Sequence, residues 1–431
     1  MQIPELHPAF AAQEAVIEAN RCLFCFDAPC AAACPTHIDV PRFIKKIASG
    51  NLRGSANTIL EANSLGLSCS RVCPVDVLCE GACVLHRYNG RPIEIGRLQR
   101  HAMEAWYDEM ESREWAGVAT AVTKKGKVAC IGAGPASLAC AAELRKSGYE
   151  CTLFEAKPVA GGLNTYGVAE YKFTPGDAAR EIAYIQALGV EIHTGVQVGE
   201  DVTLDELERR FDAIFLGMGL GPTQRLAIPG EGLRGVVDAV RFIAEYKTEA
   251  RYEVGQRTIV IGGGNTAIDA AVAARILGGG DVTLVYRRSE SELPAFEFEF
   301  DHAKAFGVVF EWNAAPVRIL GESRVEGIEL LRTKPGGESG RPLVVEGTNF
   351  TTGCDMVIVA LGQSKMGALL GDRVELSGGR ISTDNATGAT SNPRYFAGGD
   401  CSSGGREVVD AAAEGKRAAR GIIGRLEGLH G

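Results

Sequence analysis

Eight cysteines crowd the first fifth of the chain in two runs, Cys22-x2-Cys25-x4-Cys30-x3-Cys34-Pro35 and Cys69-x3-Cys73-Pro74-x5-Cys79-x3-Cys83. Thiolates this closely spaced are metal ligands. Runs ending in Cys-Pro are typical of ferredoxin-like sites, where the fourth thiolate often serves a second cluster. The expectation is two interleaved four-iron, four-sulfur clusters, with zinc held by four cysteines as the redox-silent alternative. Spacing alone leaves open whether each run fills its own site or the runs cross, and not all eight thiols need be ligands. A disulfide scaffold is not expected, because the opening MQIPELHPAF has neither the basic nor the apolar segment of a secretory leader. The other five cysteines (Cys130, Cys140, Cys151, Cys354, Cys401) sit in apolar or glycine-rich settings and read as small core residues. No Cys-x2-Cys follows residue 25, so a redox-active dithiol of that type is excluded.

Two glycine turns carry the second kind of chemistry. In Gly132-x-Gly134-x-x-Ser137, Gly132 permits a tight turn, Gly134 lets backbone approach a pyrophosphate, and the small Ser137 allows close helix-to-strand packing. Glu155 follows about 20 residues on, where a carboxylate can hold a ribose diol. Gly161, Gly162 and Leu163, with Gly399 and Asp400 late in the chain, complete a flavin site in which Asp400 would bond ribityl hydroxyls. A glycine turn in an unrelated α/β fold, and an Asp400 that only caps the following helix, are the plainer alternatives. The second turn is Gly262-x-Gly264-x-x-Ala267, and its second strand ends in Tyr286-Arg287-Arg288 instead of an acid. Guanidinium groups there favour the 2′-phosphate of NADPH over the bare ribose of NADH. The alternative is a solvated pairing of Arg287 and Arg288 with Glu290 and Glu292.

The elements that must position these residues follow from patterning. Residues 1–112 read as helical, with Asp39 and Pro41 starting a helix to about Ala48, and helical spacing over Leu52–Ala62 and Gly96–Met110. Ser112–Lys127 is polar and aperiodic, a linker. Residues 127–156 and 257–289 then repeat one grammar: apolar strand, glycine turn, Ala-rich helix, apolar strand. A strand at Met356–Ala360, the stretch NPRYFAGGD and a helix over Val408–Arg425 are expected to finish the first fold. The fold class is α/β: a helical iron–sulfur domain (1–112) followed by two Rossmann-like, doubly wound domains. The FAD-binding one (113–228 and 354–431) carries the NAD(P)H-binding one (229–353) as an insertion. A chain of 431 residues with net charge −9, 45% apolar residues and no basic block is neither disordered nor suited to nucleic acid or anionic lipid. No apolar run approaches about 18 residues, so a soluble cytoplasmic protein is expected.

The motifs RCLFCFDAPC (21–30), GLSCSRVCPVDVLCEGAC (66–83), IEIGRLQ (93–99), GAGPAS, GGGNTAID and FAGGD together resemble the flavin and iron–sulfur half of dihydropyrimidine dehydrogenase. The resemblance spans essentially the whole chain and is closer to the separate bacterial small subunit; the small subunit of glutamate synthase shares the plan. It implies one cluster on Cys22, Cys25, Cys30 and Cys83, and another on Cys34, Cys73, Cys79 and the side-chain oxygen of Gln99, with Cys69 spare. The segment AEYKFTP (169–175) departs from the PEYRLP-like stretch of relatives and is given no role.

The implied activity is electron entry: NAD(P)H reduces FAD, and single electrons pass through the clusters to an FMN-containing partner that reduces uracil or thymine in a hetero-oligomer. No protein acid or base is required for the hydride step, so no catalytic residue is named. A glutamate synthase small subunit is the first alternative. A zinc-stabilised nucleotide-binding interaction protein is the alternative from another class.

Overall fold

A computed structural model describes residues 4–248, 252–336, 340–365 and 367–428. The amino-terminal region is built from α1 (Ala12–Asn20), α2 (Pro29–Ala32), α3 (Val40–Ala48), α4 (Leu52–Ala62), α5 (Gly66–Val72), α6 (His86–Asn89) and α7 (Ile95–Ser112), with no strand among its described residues. Local chemistry sets these ends. Asp39 caps α3 by accepting the N–H of Arg42 at 3.1 Å, with Pro41 in the first turn, and Asn51 caps α4 by accepting that of Gly54 at 2.8 Å. Val40, Phe43, Ile44 and Ile47 recur at helical spacing and are buried, which fixes the inner face of α3.

After the linker come β1 (Lys127–Ile131), α8 (Pro135–Lys146), β2 (Glu150–Glu155), α9 (Leu163–Tyr166), α10 (Pro175–Ala187), β3 (Glu191–Thr194), α11 (Leu204–Arg210) and β4 (Ala213–Leu216). The inserted fold follows with β5 (Val236–Asp238), α12 (Ala239–Thr248), β6 (Arg257–Ile261), α13 (Asn265–Ile276), β7 (Asp281–Tyr286), α14 (Glu297–Ala305) and β8 (Val309–Trp312). It continues through β9 (Ala314–Leu320), β10 (Gly327–Lys334), β11 (Leu343–Val344), β12 (Phe350–Gly353) and β13 (Met356–Val359). The chain closes with the small pair β14 (Leu376–Ser377) and β15 (Arg380–Ile381), then β16 (Tyr395–Ala397), α15 (Asp400–Ser403) and α16 (Val408–Leu426).

The chain divides into two compact units, one comprising His7–Thr165, Pro175–Leu220 and Lys365–Gly431. Its sheet is parallel, in the order β16-β4-β1-β2-β3, with β1 central and buried, the arrangement of a nucleotide-binding half. The cysteine-bearing helices belong to this same unit.

The second unit comprises Met1–Leu6, Tyr166–Thr174 and Gly221–Ser364. Its parallel sheet runs β5-β13-β6-β7-β8, beside an antiparallel set in which β10 pairs β9, β11 and β12. Here the expected boundaries are corrected. The strand at Met356–Ala360 was expected to finish the first fold, yet β13 inserts between β5 and β6, pairing Met356 with Thr258 and Val359 with Ile261. Asp355 anchors it by accepting the N–H of Arg257 at 3.0 Å. The second fold therefore runs from 221 to 364 and not from 229 to 353.

The segment given no role also finds one. Lys172, fully enclosed, bridges Asp269 and Glu299 at 2.6 Å each, and Tyr171 donates its hydroxyl to Asp269 at 2.7 Å. Lys247 donates to the carbonyls of Val168 and Phe173 at 2.8 and 3.1 Å. Residues 166–174 are thereby strapped to α12, α13 and α14, and the Asp269 that holds the strap is the last residue of the GGGNTAID motif. No helix among the described residues is long and apolar enough to cross a membrane.

Candidate functional site: thiols, glycine turns and the bridge between them

Cys22, Cys25 and Cys30 of the first run and Cys83 of the second line one apolar cavity, closed by Val40, Pro41 and Ile44 of α3 and by Ile93 and Ile95. Thiols of both runs thus meet at one cavity, which spacing could not decide. Burial pushes the Cys22 thiol up, and it pushes Cys30 up to about 12, with neighbouring thiols adding to both. Cys34 lies within 3.3 Å of the Thr36 hydroxyl, and Cys73 caps the end of α5. Cys73 is held up first by its hydrogen bond with Cys69 and then by burial; Cys79 is held up by burial and by Glu80 beside it. Cys69 accepts from Asn63 Nδ2 at 3.1 Å and is buried. Gln99 is buried on α7 and donates Nε2 to the Gly66 carbonyl at 2.7 Å, which leaves its oxygen as the remaining acceptor.

Among the described residues no three His, Cys, Asp or Glu side chains converge as a single ion requires. Thiols of two runs set round an apolar cavity are a donor set that fits a polynuclear iron–sulfur centre, because binding would release the protons that burial otherwise retains. The five other cysteines are buried and free, as expected of core residues.

In the first nucleotide turn, Gly132 has φ of 85° and a Cβ there would lie 2.7 Å from the Gly217 carbonyl oxygen, so only glycine fits. Gly134 precedes α8 as its cap, and Ser137 is fully buried on that helix. A Cβ on Gly162 would come within 2.7 Å of Gly134 Cα, so the Gly161-Gly162-Leu163 segment lies directly against the phosphate-type turn. Glu155 ends β2 and accepts the N–H groups of Ala133 and Lys157 at 2.7 and 2.9 Å, each oxygen retaining capacity for a diol. Asp400 opens the short α15 and accepts from the N–H of Arg406 at 3.2 Å, while Glu407 is the cap residue of α16. Capping of the long helix is therefore not its role, and burial raises its carboxyl. Gly399 donates its N–H to Glu414 at 2.6 Å. Backbone N–H groups at a helix start, a second glycine segment and two carboxylates on one unit form a cradle that fits FAD.

The second turn repeats the plan with different ends. Gly262 has φ of 147°, and a Cβ there would meet the Ala360 carbonyl oxygen at 2.5 Å, whereas the space before Gly264 is open. Ala267 is fully buried. Arg287 is exposed at the end of β7, and Arg288 donates to the Gly340 carbonyl at 3.0 Å. Glu292 bonds Ser289, and Arg288 nearby adds to the lowering of its carboxyl, but neither arginine forms a direct ion pair with Glu290 or Glu292 among the described residues.

Sequence reasoning missed the residues that join these parts. Asn164, next to Leu163, donates Nδ2 to the Ser68 hydroxyl at 2.7 Å. Ser68 in turn donates both its N–H, at 2.8 Å, and its hydroxyl to the buried Glu181 of α10. The available signal was faint: two acids, Asp177 and Glu181, in an otherwise mixed helix.

Family comparison fits this geometry. Residues 1–111 match the family described as dihydropyrimidine dehydrogenase domain II, 4Fe-4S cluster. Residues 126–415 match the pyridine nucleotide-disulphide oxidoreductases. The chain belongs to the pyridine nucleotide-disulphide oxidoreductase family. Together the two matches imply an iron–sulfur cluster, FAD and NAD(P)H as cofactors.

The glutamate synthase [NADPH] small chain of Halomonas elongata is 35% identical, covering 99% of this chain and 94% of that one. The NAD-dependent dihydropyrimidine dehydrogenase subunit PreT of Escherichia coli K12 is 34% identical, covering 99% and 98%. The NADP(+)-dependent formate dehydrogenase subunit beta of Moorella thermoacetica is 38% identical over 92% of this chain, which spans 59% of it. Among solved structures, FprA of Mycobacterium tuberculosis in complex with NADPH aligns with a TM-score of 0.58 at 20% identity, over 71% of this chain and 86% of that one, and shares the fold. The chain is a flavin and iron–sulfur oxidoreductase related to subunits of multi-subunit enzymes.

Proposed function

We propose that this chain is the electron-entry subunit of an NAD(P)H-dependent dihydropyrimidine dehydrogenase, delivering electrons to an FMN-containing partner that reduces uracil or thymine. The observation that carries electron entry is the bond from Asn164 to Ser68, because it ties the flavin-type glycine segment to the helix that ends at Cys73. When bound, flavin converts the paired electrons of nicotinamide into the single electrons that iron–sulfur centres accept. The chain's own residues bind and orient. Gly132, Gly134, Ser137, Glu155, Gly161, Gly162, Leu163, Gly399 and Asp400 hold FAD; Gly262, Gly264 and Ala267 receive the nicotinamide nucleotide, with Arg287 and Arg288 favouring NADPH.

Cys22, Cys25, Cys30 and Cys83 hold one cluster, and Cys34, Cys73, Cys79 and Gln99 hold the second. Clustered reduced thiols suit a cytoplasmic setting. The pyrimidine partner is favoured by alignment length: 427 residues against PreT, within the chain's own 431, but 451 against the glutamate synthase chain, which carries insertions this chain lacks. Glutamate synthase remains the second reading, supported by 35% identity over 99% of the chain.

Anaerobic affinity isolation followed by identification of the co-purifying flavoprotein tests the proposal. A pyrimidine-reducing FMN protein, with uracil-dependent NAD(P)H oxidation on mixing, is expected. Capture of an amidotransferase subunit with glutamate formation would replace it by the second reading, and a colourless zinc-loaded chain would remove both.

A further inference from the structure

Glu181 is fully enclosed in its unit, and its carboxylate is met by the N–H and hydroxyl of Ser68. It makes no ion pair among the described residues. The surrounding charges are committed elsewhere: Arg71 of α5 to Asp177 at 2.8 Å, Arg180 to Asp108 and Glu111 of α7, and Lys146 of α8 to the Leu60 carbonyl and the Ser64 hydroxyl. Tyr107 of α7 faces it with a buried hydroxyl that has no partner, and Asp177 adds a second negative charge from its own helix. A buried carboxylate without a cation is pushed towards its neutral form. Burial lifts Glu181 to about 7, against the pull of the Ser68 bonds and of the Leu67 N–H.

Position makes this consequential. Ser68 is one residue from Cys69 on α5, whose first residue accepts from Gln99 and whose end is Cys73, and it accepts from Asn164 of the flavin-type segment.

We propose that Glu181 is a redox-linked proton holder and positioning residue, set between the flavin segment and the helix of the second cysteine run. It takes one proton from water as an electron arrives on the neighbouring iron–sulfur centre and returns it when the electron leaves. This inference rests on the proposed electron-entry function. The balance is simple: carboxylate, one proton and one electron on the centre give carboxylic acid and the reduced centre, the electron coming from NAD(P)H. No bond other than O–H forms or breaks. The arriving negative charge raises the affinity of Glu181 for its proton, and by reciprocity the bound proton favours reduction.

The experiment is spectroelectrochemical titration of the intact chain alone, following the iron–sulfur signals by electron paramagnetic resonance from pH 6 to 9. The wild-type potential is expected to be flat below about 7 and then to fall as pH rises. The slope should approach tenfold in the reduction equilibrium per pH unit, about 59 mV for one electron. Glu181→Gln should be flat throughout. Ser68→Ala keeps the carboxylate but removes one donor to its charged form, so its slope should begin at a higher pH; this variant decides the matter if Glu181→Gln fails to assemble. A flat wild-type profile, a slope surviving in Glu181→Gln, or a Ser68→Ala onset unchanged from wild type would overturn the inference. Iron and flavin analysis of the same samples separates that outcome from failure of the electron-entry proposal, which would show as protein lacking the centres.

Discussion

The two nucleotide folds share one grammar, yet each holds a buried acid in a different way. In the second unit the acids Asp269 and Glu299 are neutralised by Lys172 at 2.6 Å, an ion triad that locks residues 166–174 to α13 and α14. In the first unit Glu181 has two donors from Ser68 and no cation. The same contrast appears at the strand ends, where Glu155 is held by backbone N–H groups and Arg287 is left exposed. A repeated supersecondary unit is specialised by what meets its edges: one copy adds to its ion pairs with the amino-terminal helices an acid that meets no cation, whereas the other neutralises both acids of its strap.

The sharpest way to break the contrast is at the thiols. Cys83→Ser should remove the cluster proposed on Cys22, Cys25, Cys30 and Cys83, about half the iron, while leaving flavin content and NADPH binding in place; iron analysis and absorption spectra check this. Uniform loss of flavin as well would mean that the two regions fail together.

Next comes the lock. Lys172→Met leaves two buried acids unpaired and should cost about 3–5 kcal/mol in denaturant unfolding of the second unit. Adding Asp269→Asn and Glu299→Gln should recover much of that loss.

The unpaired acid predicts a pH effect of similar sign and smaller size. Because the folded chain raises Glu181 from 4.5 to about 7, its contribution to stability is complete below pH 4.5 and is lost as pH rises through about 7. The loss is about 3 kcal/mol, read as the difference between wild type and Glu181→Gln across that range.

The smallest effect distinguishes the strand ends. Arg287→Ala should weaken NADPH by roughly 10- to 100-fold, the worth of about 1.5–3 kcal/mol for a charge-assisted hydrogen bond, and leave NADH unchanged in steady-state titrations.

Sequence patterning revealed what local chemistry dictates. Asp39 with Pro41 announces α3, the glycine turns announce the strand-to-helix corners, and the Cys-Pro endings announce metal. It misassigned Met356–Ala360 because five consecutive apolar residues suit the centre of either parallel sheet, and only pairing with β6 tells which. It could not see that Cys83 shares a cavity with Cys22, Cys25 and Cys30, since crossing is a property of the helices between them. Lys172, Asp269, Ser68 and Glu181 escaped for one reason: a lone polar residue reads as solvated until a distant partner is brought beside it. Asp269 did carry a hint, standing among alanines on a helix apolar on nearly every side.

The strap at 166–174 also limits how this polypeptide can be dissected. The backbone passes five times between its compact units, so no pair of cuts isolates the inserted fold with everything it needs. A fragment spanning 221–364 would keep Asp269 and Glu299 and lose the ammonium that neutralises them, and should become folded only when a peptide bearing Tyr171 and Lys172 is added back in trans.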